Sequence, residues 1–226
     1  MRRFRTSGWR VAGGGWVGLL TLLLATHYPL PAYAATIDRI AALVDRQVLT
    51  VSEIMQMAEL RFFPRASGQS DDDYRHEILD NLIAQALRYR DVERFGAADV
   101  SKDAIEARLQ QIRSRFASPA EFDAAVQRSE LTLDEVRTLV KRELQVESYV
   151  QERFEQMIVV STDEIESYYK GTWSQQRRQR GLPIPPLAAV QDEIRTELKS
   201  ARLQQEVEKW TAELRSRANV DVYAWR

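Results

Sequence analysis

The segment that decides the fold reads Ile37-Asp38-Arg39-Ile40-Ala41-Ala42-Leu43-Val44-Asp45-Arg46-Gln47-Val48-Leu49-Thr50-Val51-Ser52-Glu53-Ile54. Two short apolar runs in it flank the polar turn Asp45-Arg46-Gln47, an arrangement typical of a β-hairpin. From Thr50 onward the apolar spacing changes from two residues to about 3.6, the period of an α-helix. Thr50 and Glu53 also match the capping-box pattern, which satisfies two backbone N–H groups at a helix start. The segment therefore predicts a strand pair that leads directly into a helix.

Further helix starts of the same kind are spread along the chain. Three carboxylates after Ser70 indicate one start, because negative charge is stabilised at the N-terminal end of a helix, and Gly96 provides the matching stop. The capping-box pattern recurs at Ser118 with Glu121, Thr132 with Glu135, and Ser161 with Glu164. An apolar stripe at helical spacing, predicted to face the core, runs through Val136, Leu139, Val140, Leu144, Val150, Phe154 and Met157.

The C-terminal part of the chain predicts a long helix followed by a strand. Apolar residues from Leu187 to Leu214 keep helical spacing, and Val220–Trp225 alternates like a strand. Because a lone strand needs a partner, we expect it to pair with the hairpin. The predicted fold class is therefore mainly α: a multi-helix core with a small β unit formed by an N-terminal hairpin and the C-terminal strand.

Residues 1–34 have the layout of a secretory signal peptide. Four arginines without a nearby acid precede the apolar stretch Val11–Ala25, and Ala32-Tyr33-Ala34 supplies small residues for cleavage after Ala34. The alternative is an uncleaved membrane anchor, but the apolar run is shorter than the roughly 20 residues that span a bilayer. We therefore expect an exported chain with no stable membrane anchor after cleavage.

Composition excludes several function classes. Cleavage after Ala34 would leave 192 residues with 28 basic and 33 acidic side chains, a net charge of −5. The chain has no Cys, which excludes a disulfide framework and thiol chemistry. The mildly acidic balance and the predicted export both argue against nucleic acid as a partner.

The order of predicted elements resembles the peptide-binding core of periplasmic SurA-like chaperones. The resemblance is carried by segments that together cover most of residues 37–169: Ile37–Asp45, Val48–Ile54, Tyr74–Ile83, Phe95-Gly96, Val100-Ser101, Leu131–Glu143 and Ile158–Ile165. It implies a SurA-like N-terminal chaperone domain over residues 35–170 and a C-terminal helix and strand over 187–226 that complete the same core. It also implies an ATP-independent periplasmic holdase that binds unfolded outer-membrane or secreted proteins in an apolar helical cradle.

The chain departs from that family between residues 171 and 186. In such chaperones one or two parvulin-type prolyl isomerase domains usually follow the segment equivalent to Glu164–Tyr169, whereas here Gly171–Pro186 is too short for a domain. We expect these residues to form an exposed linker. The basic run Arg177–Arg180 within it could touch anionic lipid, although a solvated linker is the commoner meaning of such a run.

An enzyme is not expected from the sequence. His76 is the one His after residue 34, and it lies in a charged helical stretch where a solvated side chain is the default. The run Asp71–Asp73 could suggest a metal site, but ligands on three adjacent helical residues point to different sides. Neither a metal nor a cofactor is expected.

A binding role directs attention to adaptable apolar side chains, because Met and aromatic residues can repack around varied partners. The candidate client-binding residues are Met55, Met57, Phe62 and Phe63 in the first helical region, and Tyr168, Tyr169 and Trp173 near the linker. The alternative for each is a place in the core. Met55 and Met57 cannot both face one side of a helix, so we expect at least one to be exposed or in a second interface.

Three other functions stay open from the sequence. The first is an accessory or assembly module that recognises one specific exported partner protein through the same surface. The second is prolyl isomerisation, which would require a domain that the sequence does not contain. The third is a homodimer formed by swapping the long last helix, which is compatible with either binding role.

Overall fold

A computed structural model of the protein describes residues 38–223. The predicted signal peptide and its cleavage site lie outside the described residues. Strands β1 (Ile40–Val44) and β2 (Gln47–Thr50) form an antiparallel hairpin. Strand β3 (Val220–Val222) pairs with the other edge of β1, so the sheet order is β2-β1-β3. The predicted pairing of the C-terminal strand with the N-terminal hairpin is confirmed.

Helices form the rest of the described fold, so the prediction of a mainly α fold is confirmed. Two irregular turns interrupt them, a 3₁₀ turn over Glu155–Met157 and a π turn over Tyr169–Trp173. The α-helices are α1 (Val51–Glu59), α2 (Asp71–Phe95), α3 (Lys102–Arg113), α4 (Pro119–Arg128), α5 (Leu133–Phe154), α6 (Thr162–Tyr168), α7 (Ser174–Gln179) and α8 (Leu187–Arg217).

Most helix starts are capped as the sequence predicts. Thr50, Thr132 and Ser161 each form a complete capping box. At Ser118 one of the two predicted capping-box bonds forms and the other does not. The hydroxyl of Ser118 accepts from the backbone N–H of Glu121, but the Glu121 carboxylate accepts from Ala117 N–H at 2.7 Å and pairs with Arg61 at 2.8 Å. The nearby guanidinium and the Ala117 amide therefore replace the expected bond to the Ser118 amide.

The main core lies between the sheet and helices α1 to α5, and we call it the central cluster. The inner side of β1 contributes Ala42 and Val44, both nearly inaccessible to solvent. Its fully buried side chains include Ile54, Ile78, Ile83, Leu87, Leu109, Ile112, Phe122 and Val136. Val136 belongs to the apolar stripe read from the sequence, as expected for an amphipathic helix packed on one core.

Helix α8 connects the central cluster to two smaller ones. It has 31 residues and is therefore about 47 Å long at 1.5 Å per residue. Trp210 of α8 lies in a middle cluster, packs 5.8 Å from the ring of Phe154, and donates from Nε1 to Asp91 at 3.1 Å. Nearer its start, Val190 and Ile194 form a distal cluster with Ile165 and Trp173. Each cluster thus packs against a different stretch of one helix.

The stretch predicted as an exposed linker is largely ordered helix. The π turn continues α6 as far as Trp173, and α7 follows directly. Trp173 and Ser174 are 5% and 3% exposed, because the Trp173 indole packs into the distal cluster. The prediction of exposure was therefore wrong for Trp173 and Ser174, whereas residues 178–184 are exposed. Within residues 38–223, none of the helices combines the length and the apolar character needed to cross a bilayer.

Candidate functional site

The candidate residues of the first helical region divide into exposed and buried sets. Met55 is 41% exposed, whereas Met57 is 3% exposed and belongs to the central cluster, as their spacing of two residues predicts. Phe62 is equally buried, and the half-buried Phe63 packs edge-on against it with ring centroids 5.4 Å apart. Met55 is therefore the member of this group whose side chain is open to solvent.

Met55 lies at a surface cavity of about 220 Å³ between α1 and the start of α2. Tyr74 and Phe116 line it with aromatic rings. The guanidinium of Arg61 lies 4.5 Å from the centroid of the Phe116 ring, and that of Arg65 lies 5.2 Å from the Tyr74 centroid. The cavity therefore presents aromatic faces that arginine side chains partly cover, an arrangement stabilised by cation–π attraction.

Within the described residues, some of the arginines around this cavity form ion pairs and one does not. Arg61 pairs with Glu121 at 2.8 Å and Arg65 pairs with Asp71 at 2.7 Å. Arg75 also lines the cavity, and in the described part of the chain no carboxylate lies within ion-pair distance of it. A carboxylate on a bound polypeptide could pair with Arg75 without displacing an existing partner.

Tyr74 fixes the floor of the same cavity. Its hydroxyl donates to the carbonyl oxygen of Phe63 at 2.7 Å, which ties the loop after α1 to helix α2. Burial raises the pKa of the Tyr74 phenol, so the group stays neutral and remains a donor.

A second accessible surface lies between the end of α5 and the middle of α8, and we call it the α5–α8 groove. Its volume is about 340 Å³. Met157 and Val159 are 64% and 72% exposed, and they flank the buried Ile158 in the chain. The lining residues are Gln151, Glu155, Ile158, Thr196, Lys199, Ser200 and Leu203. Apolar side chains thus sit beside amide and hydroxyl groups that can bond to a polypeptide backbone.

Met157 corrects a prediction made from periodicity. The sequence placed it on the buried stripe of the third long helix, but α5 ends at Phe154 and a 3₁₀ turn follows. Met157 is the last residue of that turn and its side chain is exposed, so the buried stripe ends at Phe154. Val159 carried no sequence signal, since it lies in an irregular segment.

A third exposed apolar residue, Phe95, was also missed from the sequence. It is 64% exposed and stacks on Tyr149 with ring centroids 6.4 Å apart. The Tyr149 ring in turn packs against Trp210, with ring centroids 5.5 Å apart. Phe95 is the last residue of α2, directly before the cap Gly96 at φ 97°, so its ring lies past the buried stripe of the helix.

The aromatic residues near α7 hold the distal cluster together. The Tyr168 hydroxyl donates to Glu197 at 2.6 Å, and this bond raises the pKa of Tyr168 to about 12. The Tyr169 hydroxyl donates to the carbonyl oxygen of Pro185 at 2.6 Å, and its ring stacks on Trp173 at 5.5 Å. Tyr168 and Tyr169 are half-buried and Trp173 is buried. Each of these side chains therefore has a structural partner within the fold.

The start of α2 shows how its charged residues are used. Asp71 pairs with Arg65, Asp73 accepts from the Ser70 hydroxyl at 2.6 Å, and Asp72 lies beside His76. His76 is exposed, with Nδ1 2.8 Å from the carbonyl oxygen of Asp72. Among residues 38–223, no group of three His, Cys, Asp or Glu side chains is arranged to hold a metal ion.

The described fold is thus a mainly α core closed by a small sheet, with accessible apolar surfaces on α1 and between α5 and α8. No protein-family model matches the chain. It is 29% identical over 150 residues to Chaperone SurA of Alkalilimnicola ehrlichii, an alignment that covers 64% of this chain and 34% of that protein. It is 28% identical over 188 residues to Chaperone SurA of Pseudomonas putida, covering 79% and 43%.

A third relative, Chaperone SurA of Pseudomonas syringae pv. tomato, is 29% identical over 157 residues, or 67% of this chain and 36% of that protein. The chain is SurA-like, as its sequence predicts. It spans 34% to 43% of the length of these relatives. Between α6 and α8 the described residues form the π turn, α7 and a seven-residue loop over 180–186, so this position holds no inserted domain.

Proposed function

We propose that the chain is an ATP-independent periplasmic chaperone, a holdase that binds unfolded outer-membrane or secreted proteins without isomerising prolyl bonds. Its similarity to proteins named Chaperone SurA supports the chaperone class. The observation that carries the binding role is the exposure of Met157 and Val159, which flank in the chain Ile158, a lining residue of the α5–α8 groove. Apolar side chains this accessible next to a groove are typical of sites that bind other polypeptides.

The chemistry of the groove suits an extended, unfolded segment. Met157 can adopt several conformations around side chains of different shape at small cost, which allows one site to accept many sequences. Gln151, Thr196 and Ser200 offer donors and acceptors for the client backbone, whose polar groups would otherwise lose water without replacement. The site would therefore recognise apolar side chains and the polypeptide backbone in general, as a holdase requires.

The Met55 cavity is the second proposed client contact. Of the residues predicted from the sequence, Met55 is accessible, and Phe63, Tyr168 and Tyr169 are half-buried and could contact a client at their edges. A third set, Met57, Phe62 and Trp173, is buried to 5% exposure or less. We therefore assign those three side chains to the core and restrict the proposed contacts to the accessible ones.

The test uses denatured outer-membrane β-barrel protein diluted into buffer, with aggregation followed by light scattering. Residues 35–226 should suppress scattering near stoichiometric amounts without nucleotide. The double change Met157→Ser and Val159→Ser should weaken client binding about tenfold, since each side chain loses part of an apolar contact of about 1 kcal/mol. The melting temperature should stay nearly unchanged, because both side chains are exposed.

The matched control is the double change Leu182→Ser and Ile184→Ser, which removes a second exposed apolar pair, 44% and 37% exposed, from a different surface. This variant should suppress aggregation like the unchanged protein. Equal loss in both variants would contradict the assignment to the α5–α8 groove. No suppression by a chain shown to be folded by circular dichroism would favour the alternative, a module that recognises one specific exported partner.

A further inference from the structure

The charge distribution around α7 differs from that of the rest of the chain. No Asp or Glu occurs between Glu166 and Asp192, in a chain with 33 acidic residues, whereas this stretch holds one Lys and three Arg. Lys170 pairs with Glu166 at 3.0 Å. The side chains of Arg178 and Arg180 are exposed, and in the described part of the chain neither has an ion-pair partner. The region therefore presents a positive surface that internal carboxylates do not neutralise.

The loop after α7 is held in one conformation. Gly181 has a φ of 66°. Its N–H donates to the backbone carbonyl oxygen of Arg178 at 3.0 Å, and the N–H of Leu182 donates to the backbone carbonyl oxygen of Arg177 at 2.9 Å. These bonds form a Schellman-type helix end, in which glycine is favoured because a side chain would strain the left-handed backbone. The Arg177 side chain, 4.8 Å from the Trp173 ring centroid, donates to the carbonyl oxygen of Pro183 at 2.8 Å. The loop is thus fixed to the buried distal cluster.

This fixed loop exposes apolar side chains. Leu182 occupies the position that usually packs back on the helix in a Schellman motif, yet it is 44% exposed, and Ile184 is 37% exposed. Every residue from 178 to 184 is exposed, so the whole loop faces solvent. An exposed loop that combines apolar and basic side chains can enter a soft, planar surface such as a bilayer interface.

We propose that this basic loop, residues 177–184, docks on an anionic lipid bilayer. Leu182 and Ile184 would enter the interface between headgroups and acyl chains, while Arg178 and Arg180 would lie at the headgroups beside lipid phosphates. Apolar insertion combined with basic residues is the usual physical basis of reversible binding to anionic membranes. The inference stands independently of the chaperone role, because it uses none of the residues of the α5–α8 groove or the Met55 cavity.

The experiment is cosedimentation of residues 35–226, which contain all of the described fold (38–223), with lipid vesicles. Vesicles of phosphatidylcholine with about one third phosphatidylglycerol should bind the chain, and pure phosphatidylcholine should bind it far less. The change Arg178→Gln with Arg180→Gln should lower the partition coefficient about 25-fold, at about fivefold for each arginine near a charged surface. The change Leu182→Ser with Ile184→Ser should lower it by a similar factor, since both side chains are partly buried already.

Matched controls separate the loop from net charge and from apolar exposure in general. Arg46→Gln with Arg215→Gln removes the same charge from exposed arginines on the hairpin turn and on the end of α8. Met157→Ser with Val159→Ser removes an exposed apolar pair elsewhere. Both controls should bind vesicles nearly as the unchanged chain does, and salt of about 1 M should release it, because screening then acts over about 3 Å.

Absence of binding to the anionic vesicles would overturn the proposal. So would an equal loss of binding in the loop variants and in the controls, which would show that the loop has no special role. Binding of an acidic, apolar peptide through Arg178 and Arg180, without binding to vesicles, would also overturn it and would identify a protein partner for this loop.

Discussion

Replacing Ile194 by Ala should unfold the distal cluster before the rest of the protein. Ile194 is fully buried on α8 and packs with Ile165, Trp173 and Val190, the other buried members of that cluster. The central cluster contains many more buried side chains, contributed by the sheet and α1 to α5. A region with fewer buried apolar contacts needs less free energy to open locally, so the distal cluster is more sensitive than the central cluster to the loss of one side chain.

The expected magnitude follows from the size of the cluster. Its four buried side chains supply on the order of 10 kcal/mol of gross hydrophobic stabilisation, against which stands the conformational entropy of ordering α6, α7 and the start of α8. An Ile→Ala change in a core costs about 2 to 5 kcal/mol. Since each 1.4 kcal/mol is about a factor of ten in an equilibrium, local opening should become at least about thirtyfold more frequent.

Hydrogen exchange followed by mass spectrometry measures this opening segment by segment. Ile194→Ala should accelerate exchange in α6 and α7 by about thirtyfold or more, and leave α2 and α5 nearly unchanged. The control Val140→Ala removes part of a fully buried side chain of the central cluster and should leave α6 and α7 near their original rates. Equal acceleration of α2, α5, α6 and α7 by Ile194→Ala would show that the clusters unfold together and would refute the reasoning.

Two further predictions concern ionisable groups. The pKa of Glu164 is lowered, first by the backbone N–H of Ser161 and then by the Arg202 guanidinium. The ionised carboxylate therefore stabilises the folded state fully above pH 4.5, the ordinary pKa of the group, and this stabilisation is lost as the pH falls through the lowered pKa. Glu164→Gln should therefore lower the melting temperature near neutral pH and lose that effect in acid; a constant difference across the pH range would contradict it. Tyr168→Phe should remove from an ultraviolet titration a phenol whose pKa the bond to Glu197 raises to about 12; loss of a phenol that titrates at the ordinary value of 10.0 instead would show that this bond does not form in solution.

The sequence predicted the order of elements because the relevant signals are local. Capping residues at Thr50, Thr132 and Ser161 act within one helical turn, so each start could be recognised without knowledge of the fold. The pairing of β3 with β1 is a long-range contact, but a lone terminal strand and a short hairpin left few alternatives. Local chemistry thus accounts for most of the architecture.

The surface could not be predicted in the same way, because burial depends on distant partners. Trp173 sits among polar and basic neighbours, yet it is buried by Val190 and Ile194, which lie 17 and 21 residues later in the chain. Met157 follows a helical stripe but becomes exposed because α5 ends one turn before it. Periodicity identifies which residues share a face, but the packing of other elements decides whether that face is covered.

The two proposed surfaces can be tested against each other because they share no residue. The α5–α8 groove is lined by the end of α5 and the middle of α8, whereas the basic loop is tied to the distal cluster by the Tyr169–Pro185 and Arg177–Pro183 hydrogen bonds. A chain held on a bilayer by Leu182 and Ile184 would keep its groove free for a client. Each double serine variant is therefore the control for the other. The change at Met157 and Val159 should weaken client binding but not vesicle binding, and the change at Leu182 and Ile184 should do the reverse. If one variant impaired both assays, a single apolar surface would serve both roles, and the separate assignments would have to be replaced.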